Sequence, residues 1–133
     1  MKKSTIFLML SFLFSIVLLN PATAQSGNAY NAKDIEGIWR HPSGYELKIK
    51  DNQARIFTVN DSGVPKKLIT GVFYDEIKHL DGNEWSAVFY QWRYSDNNKQ
   101  DGRWVKIGTV TITMDTNKKW IKENTRSFER MLE

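Results

Sequence analysis

Aromatic side chains are the one group of residues in this sequence whose type and spacing suggest a binding site. They come from three consecutive predicted strands, and the set is Tyr74, Tyr90, Trp92, Tyr94 and Trp104. We expect Tyr90, Trp92 and Trp104 to line a concave surface, because alternate residues of a strand point to the same side. Tyr74 and Tyr94 should lie near its mouth. Such a surface suits a small hydrophobic or amphipathic ligand, and ordinary core packing is the alternative interpretation.

Residues that could support catalysis or metal binding are few and scattered. His41 and His79 are the only histidines, and there is no cysteine to join them. A zinc site would need carboxylates to complete it, and no G-x-S-x-G elbow marks a nucleophilic serine. Asp75 and Glu76 are adjacent in a predicted strand and so face opposite sides. We therefore expect no catalytic residues, no metal and no cofactor, and we favour a binding protein, with an enzyme as the remaining alternative.

The charged residues argue against a nucleic-acid partner. The chain has 19 Lys and Arg against 15 Asp and Glu, and the two signs are interspersed rather than clustered. This pattern is typical of a solvated surface and differs from the basic stripe that nucleic-acid binding requires. The expected partners are a small hydrophobic ligand or, if the aromatic surface is flat and exposed, a protein or a glycan.

Residues 1–24 have the features of a cleavable signal peptide. Lys2 and Lys3 precede an apolar stretch from Ile6 to Leu19, and Ala22-Thr23-Ala24 provides the small residues that signal peptidase reads. The stretch is shorter than the roughly 20 residues needed to span a bilayer, and no cysteine is present for lipid attachment. We predict cleavage before Gln25, no membrane anchor afterwards, and export to the periplasm or the medium.

The chain after the signal peptide is predicted to form a short N-terminal segment at 25–36, which ends in one helical turn, and a single β domain at 37–133. Six strands are predicted, namely Tyr45–Lys50, Ala54–Val59, Lys67–His79, Glu84–Tyr94, Arg103–Met114 and Lys119–Glu129. Asp51-Asn52 and Asp81-Gly82 are predicted to be tight turns, the second of type I′. The connections are short, and short connections favour an antiparallel meander. Long strands must twist, and a strongly curled sheet also hides its edges. Apolar residues change face midway along two of these strands, so we predict a bend at Gly108.

Gly37-Ile38-Trp39, at the start of the β domain, resembles the G-x-W signature of lipocalins and related calycin barrels. In those barrels the Trp closes one end and an Arg of the last strand packs over its ring, a role for which Arg126 is the candidate. The resemblance is closest to the small secreted lipocalin-like proteins of bacteria. It implies an all-β antiparallel meander of six to eight strands, curled into a small barrel and preceded by a helical turn.

Two functions are compatible with this fold. The first is a secreted, non-catalytic binding protein that holds a small hydrophobic or amphipathic ligand inside the barrel. The second is an envelope-associated or extracellular protein-interaction module whose barrel is filled by its own side chains. Barrel volume discriminates between them, because a small barrel leaves little room for a ligand.

Overall fold

A computed structural model describes residues 29–60, 62–95 and 98–132. The predicted signal peptide at 1–24 and its cleavage site lie outside the described residues. The described elements are a 3₁₀ turn at Ala32–Ile35 and a second at Lys66–Leu68, with eight strands around them. The strands are β1 (Gly37–Arg40), β2 (Glu46–Lys50), β3 (Gln53–Thr58), β4 (Val72–His79), β5 (Glu84–Ser95), β6 (Asn98–Met114), β7 (Trp120–Glu123) and β8 (Arg126–Arg130). Within the described ranges, no helix is long and apolar enough to cross a membrane.

The strands form a closed barrel in which each one pairs with its neighbour in sequence. Every pairing is antiparallel, and β1 pairs with β8 to close the barrel. The predicted all-β antiparallel barrel with an N-terminal helical turn is therefore confirmed. The turn is capped by Asn31, whose side chain accepts a hydrogen bond from the Lys33 backbone N–H.

The strand count rises from six to eight for two reasons. Gly37–Arg40 forms its own strand, and the last predicted strand is divided into β7 and β8 by a tight turn. Asn124 in this turn has a φ of 50°, a left-handed conformation that Asn tolerates better than most residues. The predicted third strand is also too long, because Lys66–Leu68 is a 3₁₀ turn and β4 begins only at Val72.

Two predicted turns differ in their geometry. Asp51 and Asn52 have φ values of 51° and 62°, as a type I′ hairpin turn requires. At Asp81-Gly82 only the glycine has positive φ, and the Glu84 N–H donates to the Asp81 carbonyl. The predicted type I′ turn at Asp81-Gly82 is therefore wrong.

The β5–β6 pair extends as a two-stranded arm beyond a bulge. The register shifts between Phe89 and Tyr90, and Gly108, opposite Phe89, has a φ of 155°. This is where the bend was predicted. Past that point the described parts of β5 and β6 pair only with each other. We call residues 90–95 and 98–107 the hairpin arm.

Side chains fill the barrel interior. The largest of those with almost no exposed surface are Trp39, Trp85, Tyr74, Phe128, Ile35, Leu47, Ile49, Ile112, Met114 and Ile121. Large aromatic rings contribute much of this buried area. The barrel formed by the described residues is therefore mainly a packed core.

Candidate functional site

The N-terminal 3₁₀ turn closes one end of the barrel over Trp39. This ring is fully buried, and its Nε1–H donates to the Ile35 carbonyl at 2.8 Å. The guanidinium over the ring belongs to Arg130, at 4.2 Å from the ring centroid. The predicted contact between Trp39 and Arg126 is therefore wrong. Register explains the difference, because Arg130 lies directly opposite Trp39 on β8.

Arg130 is anchored by backbone carbonyls on two sides. Its Nε donates to the Lys118 carbonyl at 2.7 Å, its Nη1 to the Glu36 carbonyl at 2.9 Å, and its Nη2 to the Asp34 carbonyl. Gly37 supplies the space, since a Cβ there would lie 3.1 Å from Nη1. Gly37 and Trp39 thus take part in the structural role that the resemblance implied, with Arg130 in place of Arg126.

Three of the five predicted binding residues come together on the hairpin arm. Trp92 and Trp104 are directly opposite each other, with ring centroids 5.8 Å apart and planes at 72°. Tyr94 meets Trp92 edge-on at 6.4 Å. The Lys67 ammonium lies 5.4 Å from the Trp92 ring centroid and 5.6 Å from that of Tyr94. The arm thus carries an aromatic cluster facing the second 3₁₀ turn.

The other two predicted residues lie elsewhere. Tyr74 is fully buried in the barrel core, where its hydroxyl donates to Glu123 at 3.2 Å, so its predicted place near the mouth is wrong. It lies opposite Phe89 in the β4–β5 register, which points it inward. Tyr90 is half-buried opposite Lys106 and is not one of the residues that line the cavity described next.

A cavity of about 190 Å³ lies where the hairpin arm meets the end of the barrel away from Trp39. We call it the mouth cavity. Its walls are ring faces and aliphatic side chains with a few polar groups. The lining residues are Tyr45, Ile56, Val64, Leu68, Phe73, Phe89, Gln91, Trp92, Trp104 and Arg126. Trp92 and Trp104 thus share a concave surface as predicted, whereas Tyr90 and Tyr94 stand outside it.

The Trp104 ring of the hairpin arm packs directly against the backbone at Gly71, beside this cavity. A Cβ on Gly71 would lie 2.3 Å from the ring, so any residue other than glycine would displace it. The Phe73 and Phe89 rings pack at 5.2 Å deeper in the barrel. The cavity therefore has one wall from the barrel core and one from the arm.

Arg126 is the charged group of the mouth cavity. Its guanidinium carbon lies 4.3 Å from the Phe89 ring centroid, and its Nη1 donates to Glu123 Oε2 at 2.7 Å. Glu123 is only 4% exposed and also accepts the Tyr74 hydroxyl. These three side chains come from β8, β7 and β4, so no local sequence pattern marks them.

The phenols at this end are held in their neutral form. Burial raises the pKa of Tyr45 to about 12, the nearby Glu123 charge adding to this effect and Arg126 opposing it. Burial also raises the pKa of Tyr74, and Glu123 raises it further. Loss of solvent and then the Arg126 charge lower the pKa of His41. Arg126 and Glu123 are therefore the charged side chains that act on the phenols at this end of the barrel.

One buried polar atom beside the cavity lacks a partner. Trp92 Nε1 is buried, and no hydrogen-bond acceptor reaches it from the part of the chain that the structure describes. Buried N–H groups are paired in the great majority of cases, and leaving one unpaired costs about 1–3 kcal/mol. Trp92 also lines the mouth cavity, so an unpaired N–H lies in the wall of that cavity.

Both histidines make local contacts. The His41 ring stacks on Tyr45 at 4.7 Å, and its Nδ1 is hydrogen-bonded to Ser43. His79 packs on Trp85, and its Nε2 is 2.7 Å from the Gly82 carbonyl. Over residues 29–60, 62–95 and 98–132, no three His, Cys, Asp or Glu side chains form a group that could hold a metal ion. These contacts fit structural roles for both histidines.

Comparisons of the chain with protein-family models, with curated proteins and with solved structures give no match. The geometry of the mouth cavity is therefore the basis for a functional assignment.

Proposed function

We propose that this protein is an exported, non-catalytic binding protein that holds a small amphipathic molecule in the mouth cavity. The observation that carries the proposal is the cavity itself, a space of about 190 Å³ bounded by aromatic ring faces with polar groups at its edge. Ligand sites in proteins have this composition, with an apolar lining and a few oriented polar groups.

The size of the cavity restricts the ligand. Sites for drug-sized molecules have volumes of about 300–1,000 Å³, whereas an engineered apolar cavity of about 150 Å³ binds benzene. A space of about 190 Å³ therefore matches a single ring or a short aliphatic chain with one polar group. The packed core below it, including Trp39 and Trp85, leaves no room for the long apolar ligand of a larger barrel.

A titration with ring-sized probes tests this proposal. Benzamide and benzyl alcohol, added to the protein that begins at Gln25, should perturb the tryptophan emission and shift the methyl resonances of Val64 and Leu68. The mouth-filling variant Val64→Phe should abolish the change in emission and the shift of the Leu68 methyl resonances, because Val64 lines the cavity and is only partly buried.

Val105→Phe is the matched control, since Val105 is also partly buried but lies on the hairpin arm outside the lining. It should bind the probes as the unmodified protein does. Absence of binding by every ring-sized probe would overturn the proposal. Native mass spectrometry of protein purified from its own host, showing a small bound mass lost in Val64→Phe, would support it independently.

A protein-interaction module is the second candidate, and a different surface favours it. A groove of about 640 Å³ lies on the outer side of β2, β3 and the Ile69–Thr70 segment. Its apolar side chains Phe57 and Ile69 are 42% and 38% exposed. Exposed apolar patches often mark interaction sites. If Phe57→Ser abolished association with an envelope protein while Val64→Phe had no effect, this second function would replace the first.

Export is a separate part of the proposal, supported by the sequence at residues 1–24. N-terminal sequencing of the protein from the periplasm or medium should give Gln25 as the first residue. A full-length chain retained in the membrane fraction would contradict export.

A further inference from the structure

The polar groups that line the mouth cavity are mainly hydrogen-bond donors. They belong to Tyr45, Gln91, Trp92, Trp104 and Arg126, and no Asp or Glu is part of the lining. Trp and Arg side chains donate hydrogen bonds but cannot accept them. A ligand that fits this lining must therefore bring acceptors.

Arg126 has donors left over for such a ligand. A guanidinium has five N–H groups, and among the described residues Arg126 uses only Nη1, toward Glu123. The contacts with Glu123 and with the Phe89 ring hold the guanidinium in place at the cavity. Because carboxylates bind guanidinium groups through two parallel hydrogen bonds, a free edge of Arg126 is suited to one.

Trp92 adds a second, independent donor. Among the described residues, its Nε1–H is buried without a partner. Its ring belongs to the wall of the cavity that the hairpin arm forms, across from the wall formed by the barrel core. Because the Nε1 atom has almost no accessible surface, the Trp92 ring must turn toward the cavity for this N–H to reach a ligand oxygen. Pairing it there would remove the cost of the unpaired donor.

A cationic ligand is disfavoured by the charges already placed on the rings. Lys67 lies over Trp92 and Arg126 lies over Phe89, so two of the five aromatic rings in the lining already face a cation. A dianion is disfavoured as well, because buried Glu123 offsets the charge of Arg126 at hydrogen-bond distance. A single negative charge, close to several donors, fits best.

Resting on the proposed function, we infer that the ligand is a small monocarboxylate with a ring-sized apolar body. Its carboxylate accepts hydrogen bonds from Arg126 and Trp92, and its apolar body lies against Phe73 and Phe89.

Benzoate and benzamide provide the test, because they have nearly the same shape and differ in charge. Calorimetric titration of the protein beginning at Gln25 should show benzoate binding at least about 10-fold more tightly, as expected for a hydrogen bond to a charged group. In the double variant Arg126→Gln/Glu123→Gln, which removes both charges without leaving Glu123 unpaired, the ratio should fall to about one. Arg93→Gln, an exposed arginine on the arm outside the lining, should keep the full preference.

The possible outcomes distinguish failure of the carboxylate inference from failure of the proposed binding function. Equal binding of benzoate and benzamide, or a preference that survives in Arg126→Gln/Glu123→Gln, overturns the carboxylate inference and leaves the binding function intact. Failure of both probes to bind overturns both. A third readout is Trp92→Phe, which removes the N–H but keeps a ring. It should reduce the benzoate affinity several-fold and leave the benzamide affinity less affected.

Discussion

The two ends of the barrel each place an arginine on an aromatic ring, and they differ in how that arginine is used. At the closed end, Arg130 covers Trp39 and donates to three backbone carbonyls. At the open end, Arg126 covers Phe89, bonds only to Glu123 among the described residues, and borders a cavity. Arg130 thus donates three hydrogen bonds at one end, whereas Arg126 donates one at the other.

This difference indicates separate tasks for the two ends. At the closed end, the hydrogen bonds of Arg130 link β8 to the 3₁₀ turn and to the segment just before β7, which leaves fewer donors for a ligand. At the open end, Arg126 is held by a single carboxylate beside an apolar cavity, so most of its donors are available to a ligand. Substitutions at the closed end should therefore affect mainly stability, and substitutions at the open end should affect mainly binding.

Truncating the ring at the closed end should have the largest effect on stability. Trp39→Ala should lower the free energy of unfolding by about 3–5 kcal/mol, as for other fully buried aromatic residues. Urea denaturation followed by circular dichroism measures the change. Trp120→Ala, at a ring that is 36% exposed, is the control and should cost about 1 kcal/mol or less. Similar losses for both variants would contradict the structural role of the closed end.

The open end should make stability sensitive to alkaline pH. Burial raises the pKa of Tyr45 to about 12 in the folded protein, whereas an exposed tyrosine has a pKa of about 10. Its stabilising contribution is complete below pH 10, falls as the unfolded chain ionises between pH 10 and 12, and is lost above that range. The effect is on the order of 2 kcal/mol.

Tyr45→Phe should make this decline shallower without removing it, because buried Tyr74 also has a raised pKa. The free energy of unfolding measured at several pH values between 9 and 12 gives the difference. Tyr94→Phe, at a tyrosine that is 44% exposed, should leave the decline unchanged. An identical decline in all three proteins would show that Tyr45 is not the group responsible.

Matched arginine-to-lysine substitutions compare the two ends directly. Arg130→Lys should cost about 1.5 kcal/mol, because an ammonium cannot reach all three carbonyls that the guanidinium serves. Arg126→Lys keeps a positive charge beside Glu123 and should cost less than about 1 kcal/mol. Thermal and urea unfolding of the pair measures both values. A larger loss of stability in Arg126→Lys than in Arg130→Lys would contradict the structural role of the closed end.

The smallest expected effect comes from the contact that seats the hairpin arm. Gly71→Ala introduces a methyl group into the space of the Trp104 ring and should cost about 1 kcal/mol, because the half-buried ring can shift outward. The shift should move the tryptophan emission to longer wavelength. In a Trp104→Leu background the same substitution should cost almost nothing, and an undiminished cost there would locate the strain elsewhere.

Several features of the fold and site follow from short-range sequence patterns. The alternation in β2 and the Asp51-Asn52 turn predict one hairpin, and the switch of face near Gly108 predicts the bulge of β5 and β6. Trp92 and Trp104 were predicted to share a surface because a hairpin brings them together from positions close in sequence. Such contacts depend on backbone geometry that repeats every two residues, which the sequence displays directly.

Other features depend on which strands meet when the barrel closes. Tyr74 and Glu123 are 49 residues apart and form a hydrogen bond only because the sheet curls until β4 and β7 face each other across the interior. The choice of Arg130 over Arg126 as the partner of Trp39 is set by the β1–β8 register.

The sequence alone thus predicts the antiparallel meander, the closing Trp39, and the pairing of Trp92 with Trp104. Which arginine covers Trp39 and which one borders the mouth cavity depends on the tertiary structure. Two arginines four positions apart on one strand have the same local pattern, and a strand carries no information about its register with a partner far along the chain. That register is chosen by the packing of the whole core.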